Sequence, residues 1–169
     1  KLNQVRTLLK VEKNYEDSNT IFSRMRSLKL AESYALNGVK LHELYFENII
    51  GPRKLPSGPI VTDIVATFGS LEYFLMKFKA VGLSMRGWAV LSWDPLDDGL
   101  HIYGQDAHDE GSTLQTVPLL VLDVYEHAYM IDYGIARAPY IDVFIKNINW
   151  DVVNERYAKR TANTITFGV

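Results

Sequence analysis

Cysteine is absent from this chain of 169 residues. Its absence removes disulfides, thiolate nucleophiles and sulfur-ligated clusters together, so any metal must sit on His, Asp or Glu. A surplus of one charge is missing too. The formal net charge of -2 and a pI of ≈ 6.1 leave no basic excess to hold a phosphate backbone, which argues against nucleic acid as a partner. No stretch approaches the roughly 20 uninterrupted apolar residues of a membrane span. The opening Lys1-Leu2-Asn3-Gln4 lacks the apolar run of a secretory signal. The expectation is a soluble protein without a membrane partner, at a cytoplasmic address.

What is present suits a globular fold. With 47% hydrophobic and 22% charged residues, the chain can build one core, or two small subdomains that share one. From Lys1 to about Lys13, Leu2, Val5, Leu8 and Leu9 recur at helical spacing, and Asn14 to Thr20 is polar and turn-like. A longer periodic stretch opens at Ile21 and runs through Met25, Leu28, Ala31, Ala35 and Val39 into Leu41-His42-Glu43-Leu44-Tyr45-Phe46, predicting a helical hairpin. Gly51-Pro52 and Pro56-Ser57-Gly58-Pro59 then break all periodicity and mark a loop and a subdomain boundary.

Ser70 reads as the N-cap of a helix with Leu71, Phe74, Leu75 and Phe78 on one face, ending near Gly82. Three short strands follow, at Trp88 to Trp93, Leu100 to Tyr103 and Leu119 to Asp123, the first two joined as a hairpin through Asp97-Asp98-Gly99. Beyond Asp123 the helical pattern continues to Tyr157 with one break at Gly134. The expected fold class is α+β: an N-terminal helical hairpin over 1–50, then an α+β domain over 51–160 in which the three strands form a small sheet flanked by helices, and a tail over 161–169.

The densest chemical signal is Asp123-Val124-Tyr125-Glu126-His127, which sets a carboxylate and an imidazole four residues apart. They can converge on one point, and an Asp with a His suits a borderline metal such as Mn or Fe. A helix-end carboxylate beside a hydrogen-bonded His fits the same spacing. His42, within an apolar helical stretch, fits either a core imidazole or a ligand. His101 and His108 stand in polar surroundings with Gln105, Asp106 and Asp109, and read as solvated loop residues.

Together these segments resemble the iron/manganese superoxide dismutase family. Asp123-Val124-Tyr125-Glu126-His127-Ala128-Tyr129 is similar to its D-V-W-E-H-A-Y signature, with Tyr125 at the usual Trp. The similarity runs on through Asp132-Tyr133, Arg137, Tyr140 and Asn147-Ile148-Asn149-Trp150. Upstream, Asn37 to Asn48 resembles the second-helix motif, and Phe68-Gly69-Ser70 and Gly87-Trp88 match two further landmarks. It extends from about Leu28 to Tyr157.

That resemblance implies conversion of superoxide to dioxygen and hydrogen peroxide at one Fe or Mn ion per chain, in a homodimer or higher homo-oligomer. Residue by residue, it makes His42, Asp123 and His127 metal ligands, Trp88 and Tyr125 aromatic walls, and Glu126 the interface partner of His127 in a second subunit. A Gln that hydrogen-bonds solvent at the metal comes from helix two in one branch, where this chain has Gly38. In the other branch it comes from the segment after the second strand, which selects Gln105.

The resemblance also implies a first-helix His ligand and a gating Tyr ahead of a K-L-N stretch. The chain opens on that stretch, and no His precedes His42. The expectation is a first helix without its N-terminal part and a site of three ligands from this chain, unless another residue completes it. Met130 stands where many members carry a Tyr that reaches the partner subunit, and the acidic run Asp106 to Glu110 would slow an anion if it lay at the channel mouth. Two alternatives stay open: an inactive, metal-free member of the same fold, and another mononuclear iron enzyme with a two-His, one-carboxylate set.

Overall fold

The computed structural model describes residues 1–51 and 54–162. Helix α1 (Leu2–Val11) lies against α2 (Arg24–Ile49), the Arg6–Glu32 ion pair closing the hairpin at 3.3 Å. Ile21 stands before α2, not in its first turn. Asn19 Oδ1 accepts from the backbone N–H groups of Ile21 and Phe22, holding them in an Asx turn. The helix starts only where the Ser23 hydroxyl accepts from Arg26 N. Gly38, Leu41, Tyr45 and Asn48 form its buried stripe.

One helix escapes the periodicity of the sequence. Gly58-Pro59, read as loop, is the start of α3 (Pro59–Phe68), with Pro59 in its first turn and Ile60 and Ile64 fully buried. Helix α4 (Leu71–Ser84) is capped by Ser70 as expected, burying Phe74 and Phe78. It passes through Gly82 without ending. A Cβ there would stand 3.1 Å from Leu122 and 3.2 Å from Ile141, so the glycine lets α4 close on the sheet and on a later helix.

Strands β1 (Trp88–Asp94), β2 (Gly99–Gln105) and β3 (Val117–Asp123) form an antiparallel sheet in the order β2-β1-β3. The register sets Trp88 opposite Gln105 on one side and Asp123 on the other. After β3 the chain forms α5 (Glu126–Tyr133), α6 (Arg137–Lys146) and α7 (Trp150–Ala158). Gly134, at φ 57, makes the expected break, and a second one falls at Asn147 to Asn149. There Asn149 N donates to Asn48 O at 2.7 Å, a long-range bond that takes the place of a helical one. The architecture is the α+β arrangement expected, and of the tail 161–169, residues 163–169 lie outside the described residues. Among the described residues no single helix is long and apolar enough to cross a membrane.

Candidate metal centre

Three elements bring the expected donors together. α2 carries His42, the last residue of β3 is Asp123, and the first turn of α5 carries His127. Their ligand atoms all lie within 4.8 Å of one another. His127 Nε2 stands 3.1 Å and His42 Nε2 3.5 Å from Asp123 Oδ2, with 3.5 Å between the two imidazole nitrogens.

Their orientation is fixed locally. His42 Nδ1 lies 2.6 Å from Gly38 O, a bond only an N–H can donate, which in the neutral ring leaves the Nε2 lone pair for the side of the other two donors. Asp123 is 1% exposed, and its Oδ1 accepts from Tyr125 N at 3.0 Å. Burial pushes its carboxyl up, against the opposing pull of that backbone bond and of His127 and His42. A buried carboxylate oxygen and two imidazole nitrogens gathered at one point can be satisfied together by a cation. An O,N,N set is chemically suited to Fe or Mn.

Aromatic rings wall the group. Trp88 is fully buried and meets His42 edge-on at 4.9 Å, while Tyr125 stacks on His127 at 5.2 Å and 13°. The Tyr125 phenol is pushed up to about 12, by burial first and then by Tyr34, so it stays neutral. Glu126 is exposed beside His127, and neither Glu126 nor His127 Nδ1 has a hydrogen-bond partner among the described residues.

Gln105 makes no side-chain hydrogen bond to this group among the described residues. The register holds it in the sheet opposite Trp88, and it lines a separate cavity of ≈ 370 Å³ with Lys40, Ser92 and Tyr103. Its Oε1 is buried without a hydrogen-bond partner among the described residues. The place beside the donors belongs to His108, which is buried and not a solvated loop residue. Its Nδ1 accepts from Trp88 Nε1 at 3.0 Å, and its ring lies 5.5 Å from His42 and 5.1 Å from Tyr125. Burial, reinforced by His42 and His127, holds it below the usual imidazole range, so it is neutral with its proton on Nε2. One signal in the sequence points there: Gly38, one turn before His42, leaves a gap on the helix that another side chain must fill. His101 sits on β2, 2.8 Å from Asp97, away from the site.

An open cleft of ≈ 770 Å³ reaches His127 and Tyr125, lined also by Arg86, Asp106, Glu110, Glu126 and Arg137. The acidic run expected to repel anions is partly neutralised here, since Asp106 pairs with Arg86 at 3.0 Å.

Residues 56–156, which include Asp123 and His127, match the family described as iron/manganese superoxide dismutases, C-terminal domain. The Fe superoxide dismutase of Aquifex aeolicus (strain VF5) is 41% identical over 163 residues, covering 94% of this chain and 76% of the relative. The Mn superoxide dismutase of Mycobacterium leprae (strain TN) is 35% identical over 156 residues, 88% of this chain and 72% of the relative. That of Haloarcula marismortui is 38% identical over 128 residues, 75% of this chain and 63% of the relative. Agreement over most of the chain, with relatives named for either metal, means that this chain belongs to the iron/manganese superoxide dismutase family.

Proposed function

We propose that this protein is a superoxide dismutase, converting two superoxide ions and two protons to dioxygen and hydrogen peroxide at one Fe or Mn ion held by His42, Asp123 and His127. The observation that carries the reading is the convergence of three donor atoms on one point, from elements far apart in the chain. The bound ion supplies one-electron chemistry between its divalent and trivalent states.

The chain's own residues do the rest. Asp123 brings a negative charge into a buried setting, which favours a trivalent cation over a neutral vacancy. Trp88 covers one side of His42 and Tyr125 one face of His127, while His127 stays open to the cleft. His108, not Gln105, is the residue we assign to hydrogen-bond solvent or substrate at the site, since its Nε2 holds a proton and its Nδ1 is anchored by Trp88. Arg86 and Arg137, on the cleft beside His127, soften the repulsion that Asp106, Glu110 and Glu126 exert on an anion there.

We further propose a homodimer in which Glu126 of each copy meets His127 of the other, and the division into a helical part over 1–50 and an α+β part over 51–160. The exposed Glu126 and the unpartnered His127 Nδ1 support the pairing, because a ligating imidazole almost always donates its second N–H. Each part supplies a share of the donors: His42 from the first, Asp123 and His127 from the second.

Elemental analysis of purified protein, paired with a superoxide-consumption assay on the same sample, tests the reading. About one Fe or Mn per chain with turnover is the expected result. A folded protein that binds neither metal and leaves superoxide untouched would instead be a scaffold without the chemistry.

A further inference from the structure

Asn48 lies near the end of α2 and is fully buried, yet it is polar and only partly satisfied. Its Oδ1 accepts from Val121 N at 2.9 Å and from Arg156 Nη1 at 3.2 Å, while its Nδ2 has no partner among the described residues. Its backbone carbonyl takes the bond from Asn149 described above. Arg156, on α7, has a side chain only 12% exposed and also donates to Leu119 O and Leu44 O, each at 3.0 Å, and to Glu47 Oε2 at 2.7 Å. One guanidinium therefore ties two turns of α2 to β3.

Neither residue touches the three donors. What they govern is the relation between the elements that carry them. His42 precedes Asn48 on α2 by six residues, about 9 Å along the helix axis. Asp123 follows Val121 on β3 by two. Apolar contacts between a helix and a strand are non-directional and tolerate sliding, whereas an amide and a planar guanidinium bind at fixed angles. The unpartnered Nδ2 is a cost that an apolar side chain of similar volume would not carry. Stability explains the Oδ1, which satisfies the buried Val121 N–H, but not the idle Nδ2.

We propose that Asn48 and Arg156 are positioning residues that fix the separation of His42 from Asp123, and with it the affinity and geometry of the metal site. The inference rests on the metal-binding reading above. It also accounts for the Asn147-Ile148-Asn149-Trp150 segment, whose Asn149 closes the same clamp from the other side, its Nδ2 donating to Ile50 O.

The test uses Asn48→Leu, which keeps the volume and loses the acceptor, Asn48→Asp, which keeps it, and Arg156→Lys, which keeps the charge and loses the fork. Mn(II) is removed from the protein and rebound in competition with a chromophoric chelator, well below the unfolding midpoint. The paramagnetic resonance spectrum of the Mn(II) form is recorded alongside. Asn48→Leu and Arg156→Lys are expected to bind Mn(II) at least about tenfold more weakly, with an altered spectrum, and Asn48→Asp to restore both. If Asn48→Leu does not fold, Arg156→Lys decides by the same readouts. Unchanged affinity and spectrum in the folded variants overturn the inference, whatever happens to their unfolding midpoints. Wild-type protein that binds neither Mn(II) nor Fe(II) overturns the metal reading itself, and this inference with it.

Discussion

Gly38 and His108 share one space: a Cβ on Gly38 would stand 3.0 Å from His108 Cδ2 and 3.3 Å from its Nε2. Any side chain at position 38 presses on the His108 imidazole. Gly38→Ala should displace His108 by a few tenths of an ångström and lower superoxide turnover. Gly38→Gln should lower it further, by about tenfold or more, with metal content intact. Combining Gly38→Gln with His108→Ala should recover part of the loss, because the incoming amide then has room. Turnover and elemental analysis on the same samples check this, and full activity in Gly38→Gln alone would remove His108 from the mechanism.

Asp123 makes a second prediction, through stability. Its carboxyl is disfavoured by burial, so metal-free Asp123→Asn should unfold at the same temperature as wild type or a higher one. Metal should reverse the order. A ligand present at a thousand times its Kd adds about 4 kcal/mol to the folded state. Thermal unfolding of wild type should rise with added Mn(II), and that of Asp123→Asn should not. A variant that gains as much as wild type would show that Asp123 is no ligand.

The interface proposal turns on Glu126. Removing its carboxylate by Glu126→Ala should leave His127 Nδ1 without an acceptor from the second copy, shift the protein toward monomer, and weaken metal retention by about 10–100-fold. Light scattering and metal content measured together decide it. A tight dimer that keeps its metal would refute the bridge.

Away from the site, Tyr103 donates to Asp94 Oδ2 at 2.9 Å, and its phenol is pushed up to about 12 by burial first and then by Asp94. Its ordinary value is 10.0. Between these values the unfolded chain loses its phenol proton and the folded chain keeps it, so stability present below pH 10 falls as pH rises toward about 12. Tyr103→Phe should flatten that decline in a series of denaturant melts. An unchanged slope would mean the phenol ionises freely in the fold.

How far the sequence could be read depended on whether a residue's role is local. The β1–β2 hairpin was legible because Asp97-Asp98-Gly99 specifies its own turn, and α4 because Ser70 caps it. α3 was not, since Gly58-Pro59 both breaks a chain and starts a helix, and its start is confirmed from afar by Asn154 Oδ1 accepting from Ile60 N. His42, Asp123 and His127 were reached through motif resemblance, while the local pattern offered only a spacing. His108 depends on a turn in which Asp106 N donates to Glu110 O and Gly111 sits at φ +91, and on the gap above Gly38. The glycine is visible along the chain, but which side chain fills its gap depends on the turn, which is not, and Gln105 is the amide that the motif resemblance selects.

The strand register has a consequence in time. Trp88 pairs with Asp123 across β1 and β3, and 85 residues separate His42 from His127. Closing contacts of such long sequence separation is slow and comes after local helices have formed. The donors therefore do not face one another in a nascent or partly collapsed chain, which has little to offer an ion. The full donor set exists only once α2 has met the closed sheet, so capture of an ion by all three residues requires that closure.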